Sequence, residues 1–436
     1  MSPKRWKQLQ EILAIGYFFL IPIQWTPSHR NIQAADLLFI PLALCVLCAP
    51  TRSRKISFHK LDLLVLLYLA GSAFSFLKST DWSASGIAYA KQIYLAAVYG
   101  IFALLSQEPE DRNRWIRWYA GTVICFAAIG LAAVVVYLLF HVYFPSFGMP
   151  MPIPSLGTMF RVQATFHSHE YFGEYLAFGL PLLIGLCFKS AEPGIWLAGL
   201  VLLVTAAFFS VTHALVGLFA AALFSLWNRW NRGKLRIGRA ILLMISAALF
   251  IWVNALSVVS VREWKISTGT NPNIPPAPYV YAFQDQQKGA EKITLELSYN
   301  PISYFLLKRF AWEAFLREPL TGVGIGRFYE VTHQAYQQGR IHARYERIDP
   351  HSTLFGRLAE TGLLGTISLL LLWGGMVLYA RRSIRTTSDS AWINGALLAG
   401  IGGLLINSLN VDVMNFRFLW VGFGIIRGSF RPYPNE

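Results

Sequence analysis

The chain has 436 residues, 55% of them hydrophobic and 14% charged, with a formal net charge of +15. Soluble domains carry about 25% charged and about 45–50% apolar residues, so a soluble globular protein is excluded and an integral membrane protein is expected. An excess of 38 Lys and Arg over 23 Asp and Glu would otherwise suggest a nucleic-acid partner, but these cations flank apolar runs, and no nucleic-acid binding is expected.

A spanning helix needs about 20 mostly apolar residues. About twelve such stretches follow one another, near 9–26, 32–50, 61–77, 85–105, 115–141, 170–188, 194–211, 212–228, 238–260, 351–380, 391–409 and 413–428. The expected fold is therefore an all-α polytopic membrane protein with about twelve transmembrane helices. Its parts are residues 1–260 with nine spans, a large loop over 261–350 and residues 351–436 with three spans. The first run, Leu9 to Trp25, continues into further apolar runs without a small-residue cleavage site, so no cleavable leader is expected. Cys45, Cys48, Cys125 and Cys187 all lie in apolar runs, which gives no disulfide framework for the exported loops.

Orientation follows from the cations. With both termini inside, the inner segments hold 21 Lys and Arg, including Arg52, Arg54, Lys55, Arg229, Arg232, Lys234, Arg381 and Arg382. The short outer loops hold little beyond Arg30, Lys78, Arg161 and Arg417, as the positive-inside rule requires. Two longer segments fall outside. Residues 142–169 carry Pro145, Pro150, Pro152 and Pro154; the 261–350 loop carries a Pro-rich piece from Asn271 to Pro278. That loop also has an alternating Lys292–Leu297 stretch that reads as a short strand. An amphipathic helix is expected from Ile302 to Arg317, stopped by Pro319. Structureless loops of this length are usually functional, so the chemistry is expected on the outer face.

Three stretches carry residues suited to chemistry. In the first, Arg161 to Leu176, Arg161 reads either as a bidentate phosphate ligand or as an arginine reaching lipid phosphates. Gln163 lies two residues on. His167, His169 and Glu170 invite a metal, but they match no common ligand spacing. The second runs from Lys308 to Phe328. Arg309, Glu313 and Arg317 are spaced i, i+4, i+8, which also suits an ordinary surface ladder of ion pairs. Gly322, Gly324 and Gly326 have the wrong spacing for a dinucleotide loop and are expected to form a tight turn, with Arg327 at its end within reach of an anionic headgroup. The third runs from Asp349 to Gly365. Asp349 as N-cap and Pro350 as first helical residue would place His351 in the first turn of a spanning helix, either as a general base or as an interfacial capping residue. Glu360 lies inside that span, where a carboxylate is expensive, with Arg357 one turn away as its ion-pair partner. Nine residues beyond His351, Glu360 is expected on the opposite helix face.

In this order the three stretches resemble the O-antigen ligase and polysaccharide polymerase superfamily of bacterial inner membranes. The resemblance rests on the Arg-led segment from Arg161 to Leu176. It rests further on Arg-x-x-Trp-x-x-Ala followed by Pro-Leu-x-Gly-Val-Gly-x-Gly from Arg309 to Phe328, and on His-Ser opening a helix with Glu-x-Gly-Leu-x-Gly from His351 to Gly365. The family usually has Asn after the histidine, where this chain has Ser352. The resemblance implies a C-type glycosyltransferase of the inner membrane that works at the periplasmic face without metal or other cofactor. It would move a glycan from undecaprenyl diphosphate to an acceptor hydroxyl, such as a lipid A core sugar, with inversion. Carried over by residue, His351 would be the base, and Arg309 and Arg161 would bind the diphosphate. Lys308, Arg327, Arg340 and Gln163 are further candidates for that anion site.

A repeat-unit polymerase of the same superfamily would share the donor chemistry and differ in its acceptor. A lipid-linked glycan flippase would instead need ionisable residues in several mid-membrane spans, and only Lys91, Glu174 and Glu360 approach such positions. A scaffold would leave the cations and the histidine at one membrane surface without a purpose.

Overall fold

The computed structural model describes residues 2–24, 33–49, 57–153, 157–210, 257–261, 280–281, 294–298, 304–341, 346–386 and 391–430. The expected eighth span, most of the ninth and the Pro-rich piece of the long loop lie outside the described residues.

The helices are α1 (Pro3–Leu20), α2 (Ala34–Leu47), α3 (Lys60–Ala73), α4 (Trp82–Leu105), α5 (Pro109–Phe140), α6 (His169–Lys189) and α7 (Pro193–Ser210). After the long loop come α8 (Tyr304–Arg317), α9 (Phe328–Gln337), α10 (Thr353–Thr386), α11 (Ala391–Asn407) and α12 (Arg417–Gly428). Among the described residues, six segments are long and apolar enough to cross a membrane: Lys60–Lys78, Trp82–Leu105, Pro109–Phe140, His169–Lys189, Pro193–Ser210 and Thr353–Ile384. Ala34–Leu47 and Ala391–Asn407 are apolar but shorter. The protein is a mostly helical membrane protein.

In a membrane there is no hydrophobic drive between helices, so close packing and small residues hold the bundle. The sequence supplies both. α12 lies against α4, α10 against α3, and α6 between α7 and α11. At the α4–α12 contact a Cβ on Gly424 would stand 2.6 Å from the Tyr99 carbonyl oxygen, so only glycine permits that approach. The helices that lead from the site are capped by their own sequence: at α4, Asp81 Oδ1 accepts from the backbone N–H of Ser83 and Ala84 at 3.0 Å, and at α6, Ser168 Oγ accepts from Tyr171 N–H at 3.3 Å.

Two segments differ from the expected loops and spans. The proline-bearing segment forms an antiparallel hairpin of β1 (Gly148–Ile153) and β2 (Gly157–Val162), with Pro150 opposite Phe160 and Pro152 opposite Thr158. Proline lacks an N–H to donate, and in a two-stranded ribbon each strand has an outer edge where none is needed. Ser257–Val261, placed by hydropathy at the end of the ninth span, is instead strand β3. It pairs antiparallel with β5 (Thr294–Ser298), which also carries β4 (Val280–Tyr281) on its other edge. The three valines of β3 suit a pleated ribbon. β5 coincides with the alternating stretch expected to be a strand.

Candidate functional site at one end of the bundle

The site is built around a break in a helix. α10 is interrupted at Gly362, whose φ of +60° and ψ of −157° end one helical piece and start another. The freed backbone groups are taken up by the turn after α8. Val323 N–H donates to Ala359 O at 2.9 Å and Gly324 N–H to Glu360 O at 3.1 Å; Leu363 N–H donates to Pro319 O at 2.8 Å and Leu364 N–H to Leu320 O at 3.2 Å. A Cβ on Gly322 would lie 2.4 Å from the Glu360 carbonyl carbon, and one on Gly362 would lie 2.5 Å from the backbone of Leu320. Both glycines also have positive φ, +69° and +60°, so the two motifs meet through positions open only to glycine. The expected tight turn at Gly322, Gly324 and Gly326 is present. It is anchored by Ile325 N–H to Ser75 Oγ at 3.1 Å and by Ser85 Oγ–H to Ile325 O at 2.8 Å.

Before the break, the first piece of α10 begins at Thr353, three residues later than the sequence suggests. Asp349 does not cap the helix. Its Oδ1 accepts from His351 N–H at 2.9 Å, which turns His351 into a left-handed conformation with φ +44°. Ser352 is the effective cap, its Oγ accepting from Phe355 N–H at 3.3 Å and its hydroxyl donating to Ser408 O at 3.1 Å. Thr353 N–H donates to Ser408 O at 2.7 Å, and Thr353 Oγ1 donates to Val411 O at 2.9 Å. The segment carrying His351 is thereby fastened to the turn between α11 and α12. Because His351 precedes the helix, the opposite-face expectation for Glu360 fails: His351 and Glu360 line one cleft.

That cleft has a volume of about 370 Å³ and is walled by α4, the Gly turn, the start of α10 and the residues before α12. His351 sits in its wall, 30% exposed, with Nδ1 3.7 Å from Asp349 Oδ1. Arg357 lies between two carboxylates, 3.4 Å from Asp412 Oδ2 and 4.0 Å from Glu360 Oε2. Glu360 Oε1 accepts from Phe328 N–H at 3.3 Å. Nearby, Arg417 makes two 2.6 Å hydrogen bonds to the Asp36 carboxylate. The remaining cation of the wall is Lys91, nine residues into α4, about 14 Å along the helix axis. Its charged neighbours are Arg417, Asp412, Asp36 and Arg357. Among the described residues, no group forms a hydrogen bond or ion pair with its ammonium. A single lysine in an apolar run was the available signal for this residue, because an ionisable side chain at that depth is expensive.

The other expected site residues sit outside the cleft wall. Arg309 is 65% exposed, with Nε 3.0 Å from Glu313 Oε1, and Arg340 grips the same carboxylate at 2.8 Å while lying over the Phe310 ring. Burial raises the Glu313 carboxyl, but Arg340 and Arg309 outweigh it and hold that carboxyl below its ordinary range. Arg327 is buried and turned inward to Asp81, Thr80, Tyr329 and Glu330, away from the headgroup reach expected of it. Arg161, on β2, donates from Nε to Ser210 O at 3.1 Å, and Gln163 Nε2 donates to Pro145 O at 2.7 Å. Lys308 approaches the site most closely of these. Its Nζ donates to Asn410 Oδ1 at 2.6 Å, two residues before Asp412, and burial pulls its ammonium down to about 8. The first stretch borders the cleft through Tyr171 of α6, which has Asp349 and Asp412 as electrostatic neighbours. Among the described residues, no group of three or more His, Cys, Asp or Glu is arranged to hold a metal ion.

Residues 194–370 match the family model described as O-antigen ligase. That match agrees with the resemblance of the three motifs to the O-antigen ligase and polymerase superfamily. The matched segment contains the second and third motifs with the Gly322–Gly362 joint and His351, while the Arg161 stretch and Lys91 precede it. Members of the family are glycosyltransferase-type enzymes, ligases or polymerases, with lipid-linked glycan substrates in general. No curated protein matches the chain.

Proposed function

We propose that the chain is an O-antigen ligase-type glycosyltransferase of the bacterial inner membrane, with both termini cytoplasmic and the His351 cleft opening to the periplasm. It transfers a glycan from undecaprenyl diphosphate to an acceptor hydroxyl, such as a lipid A core sugar, without a metal. The observation that carries the reading is the juxtaposition in one cleft, beside the Arg357–Asp412 pair, of His351 with the Lys91 ammonium, which has no partner among the described residues.

In this reading the His351 imidazole takes the proton of the acceptor hydroxyl as its oxygen attacks the anomeric carbon from the face opposite the diphosphate. The bond from that carbon to the diphosphate oxygen breaks, its electron pair stays on the diphosphate, and the product linkage is inverted. Fixed cations stabilise the charge that develops on the leaving group. Lys91 supplies one from within the cleft, and Lys308 borders it. Arg309 and Arg161 keep the diphosphate-binding role that the resemblance assigns them; for Arg309 this requires its pair with Glu313 to open as the donor enters.

The test is reconstitution of the purified protein with an undecaprenyl-diphosphate glycan and a lipid A core acceptor. His351→Ala is expected to lower the transfer rate by about 10²-fold or more, and Lys91→Ala to weaken donor use, with both variants keeping the wild-type melting temperature. Unchanged transfer by the His351 variant removes the base assignment, and a requirement for added divalent metal removes the cation-only diphosphate site. Formation of lengthened carrier-linked glycan in place of glycosylated acceptor would make the protein a polymerase.

A further inference from the structure

A second cavity, of about 830 Å³, lies at the far end of the bundle from His351. Chain order fixes that placement. α4 starts at the cleft and ends at Leu105; the cavity is lined by the start of α5, the end of α6, and the starts of α7 and α11. Its walls combine two chemistries. Trp118, Trp196 and Trp392 supply indole faces, and Arg114, Arg117 and Lys189 supply charge against one carboxylate, Glu110. Arg114 is already engaged by Glu11 at 3.2 Å and Asp111 at 3.6 Å. Arg117 and Lys189 form no hydrogen bond or ion pair among the described residues.

We infer that this cavity is a binding site for one anionic phospholipid of the leaflet opposite the His351 cleft, its phosphate held by Arg117 and Lys189 and its acyl chains laid along the tryptophans. Two features select a lipid over a soluble anion. Tryptophan is the residue of the membrane–water boundary, amphipathic on the scale of a headgroup. The cavity also runs into apolar surface, since Phe188, Ile195 and Leu197 beside it are 59%, 60% and 56% exposed. Charge complementarity selects an anionic headgroup over a zwitterionic one, because the two unpaired cations outnumber Glu110 and near a bilayer each is worth roughly a fivefold gain in binding. With the termini inside, this is the cytoplasmic leaflet, and the site is independent of the transfer chemistry at the other end.

Native mass spectrometry of the delipidated, purified full chain tests it, with phosphatidylglycerol and phosphatidylcholine of identical acyl chains supplied in equal amounts. The wild type should retain phosphatidylglycerol in preference to phosphatidylcholine. The double variant Arg117→Ala, Lys189→Ala should retain about tenfold less of it or lower, and the charge-preserving pair Arg117→Lys, Lys189→Arg should restore it. The double variant should melt with the wild type in phosphatidylcholine nanodiscs, since neither side chain has a partner among the described residues. Equal retention of the two lipids overturns the inference, as does undiminished phosphatidylglycerol on the double variant. Displacement by glycerol 3-phosphate alone would assign the cavity to a soluble anion and overturn it equally.

Discussion

Arg309 on α8 and Arg357 on α10 carry the same charge, and each lies beside a carboxylate, but their surroundings make them different devices. Arg309 is 65% exposed and shares Glu313 with Arg340, so water and salt screen its pair and the ladder contributes little to the fold. The Arg357 side chain is 7% exposed between Asp412 and Glu360. Its removal would strand two carboxylates in a medium that solvates them poorly. The exposed arginine can change partners at little cost, whereas the buried one is committed to holding the cleft. A motif arginine and a structural arginine are thus told apart by the dielectric around them.

The sharpest way to break that contrast is Arg357→Ala. It should cost about 3 kcal/mol, the low end for breaking a buried pair because Asp412 remains partly exposed. A fall in melting temperature of the purified protein measures this, and wild-type thermal stability would refute the committed role. A smaller effect is expected from Lys308, which stands between the two regimes. Its ammonium is depressed to about 8, so between there and its unfolded value near 10.4 the folded chain binds fewer protons than the unfolded one. Stability should therefore rise as pH increases through that window, while any donor binding that depends on the Lys308 charge weakens above about pH 8. Transfer rates at limiting donor across that range, compared with Lys308→Arg, separate the two trends; a variant profile identical to that of the wild type removes Lys308 from the donor site. The smallest effect on the fold should come from Arg309→Ala, below about 1 kcal/mol in melting experiments, whatever it does to transfer.

Much of the helical frame was readable from apolar runs and cations, because hydropathy and length are local properties. α8 came within two residues of its expected start, and its end was set by Pro319. What the runs concealed was where a helix stops being one. His351 read as a first-turn residue because Asp349-Pro350 is a good helix opening, yet the Asp349 carboxylate closes on the His351 amide and Ser352 takes over the cap. With that shift of three residues, Glu360 and His351 line the same cleft. Lys91 went unassigned because a lone lysine carries no pattern; its significance comes from Arg357, Asp412 and Arg417, which reach it from hundreds of residues away. Prolines 150 and 152 suggested irregular chain, and only the strand opposite them makes the segment a hairpin.

The joint between Gly322 and Gly362 has a consequence for how such chains can be varied. The turn after α8 and the break in α10 share four backbone hydrogen bonds and leave no room for a side chain on either glycine. They behave as the two halves of a hinge knuckle, machined to fit one another. A chimera that takes its long loop from one relative and its later spans from another, with the junction between residues 327 and 352, would separate these halves. The grafted loop would keep its fold only where the recipient presents the matching half, so loop exchange succeeds as a transfer of both pieces together.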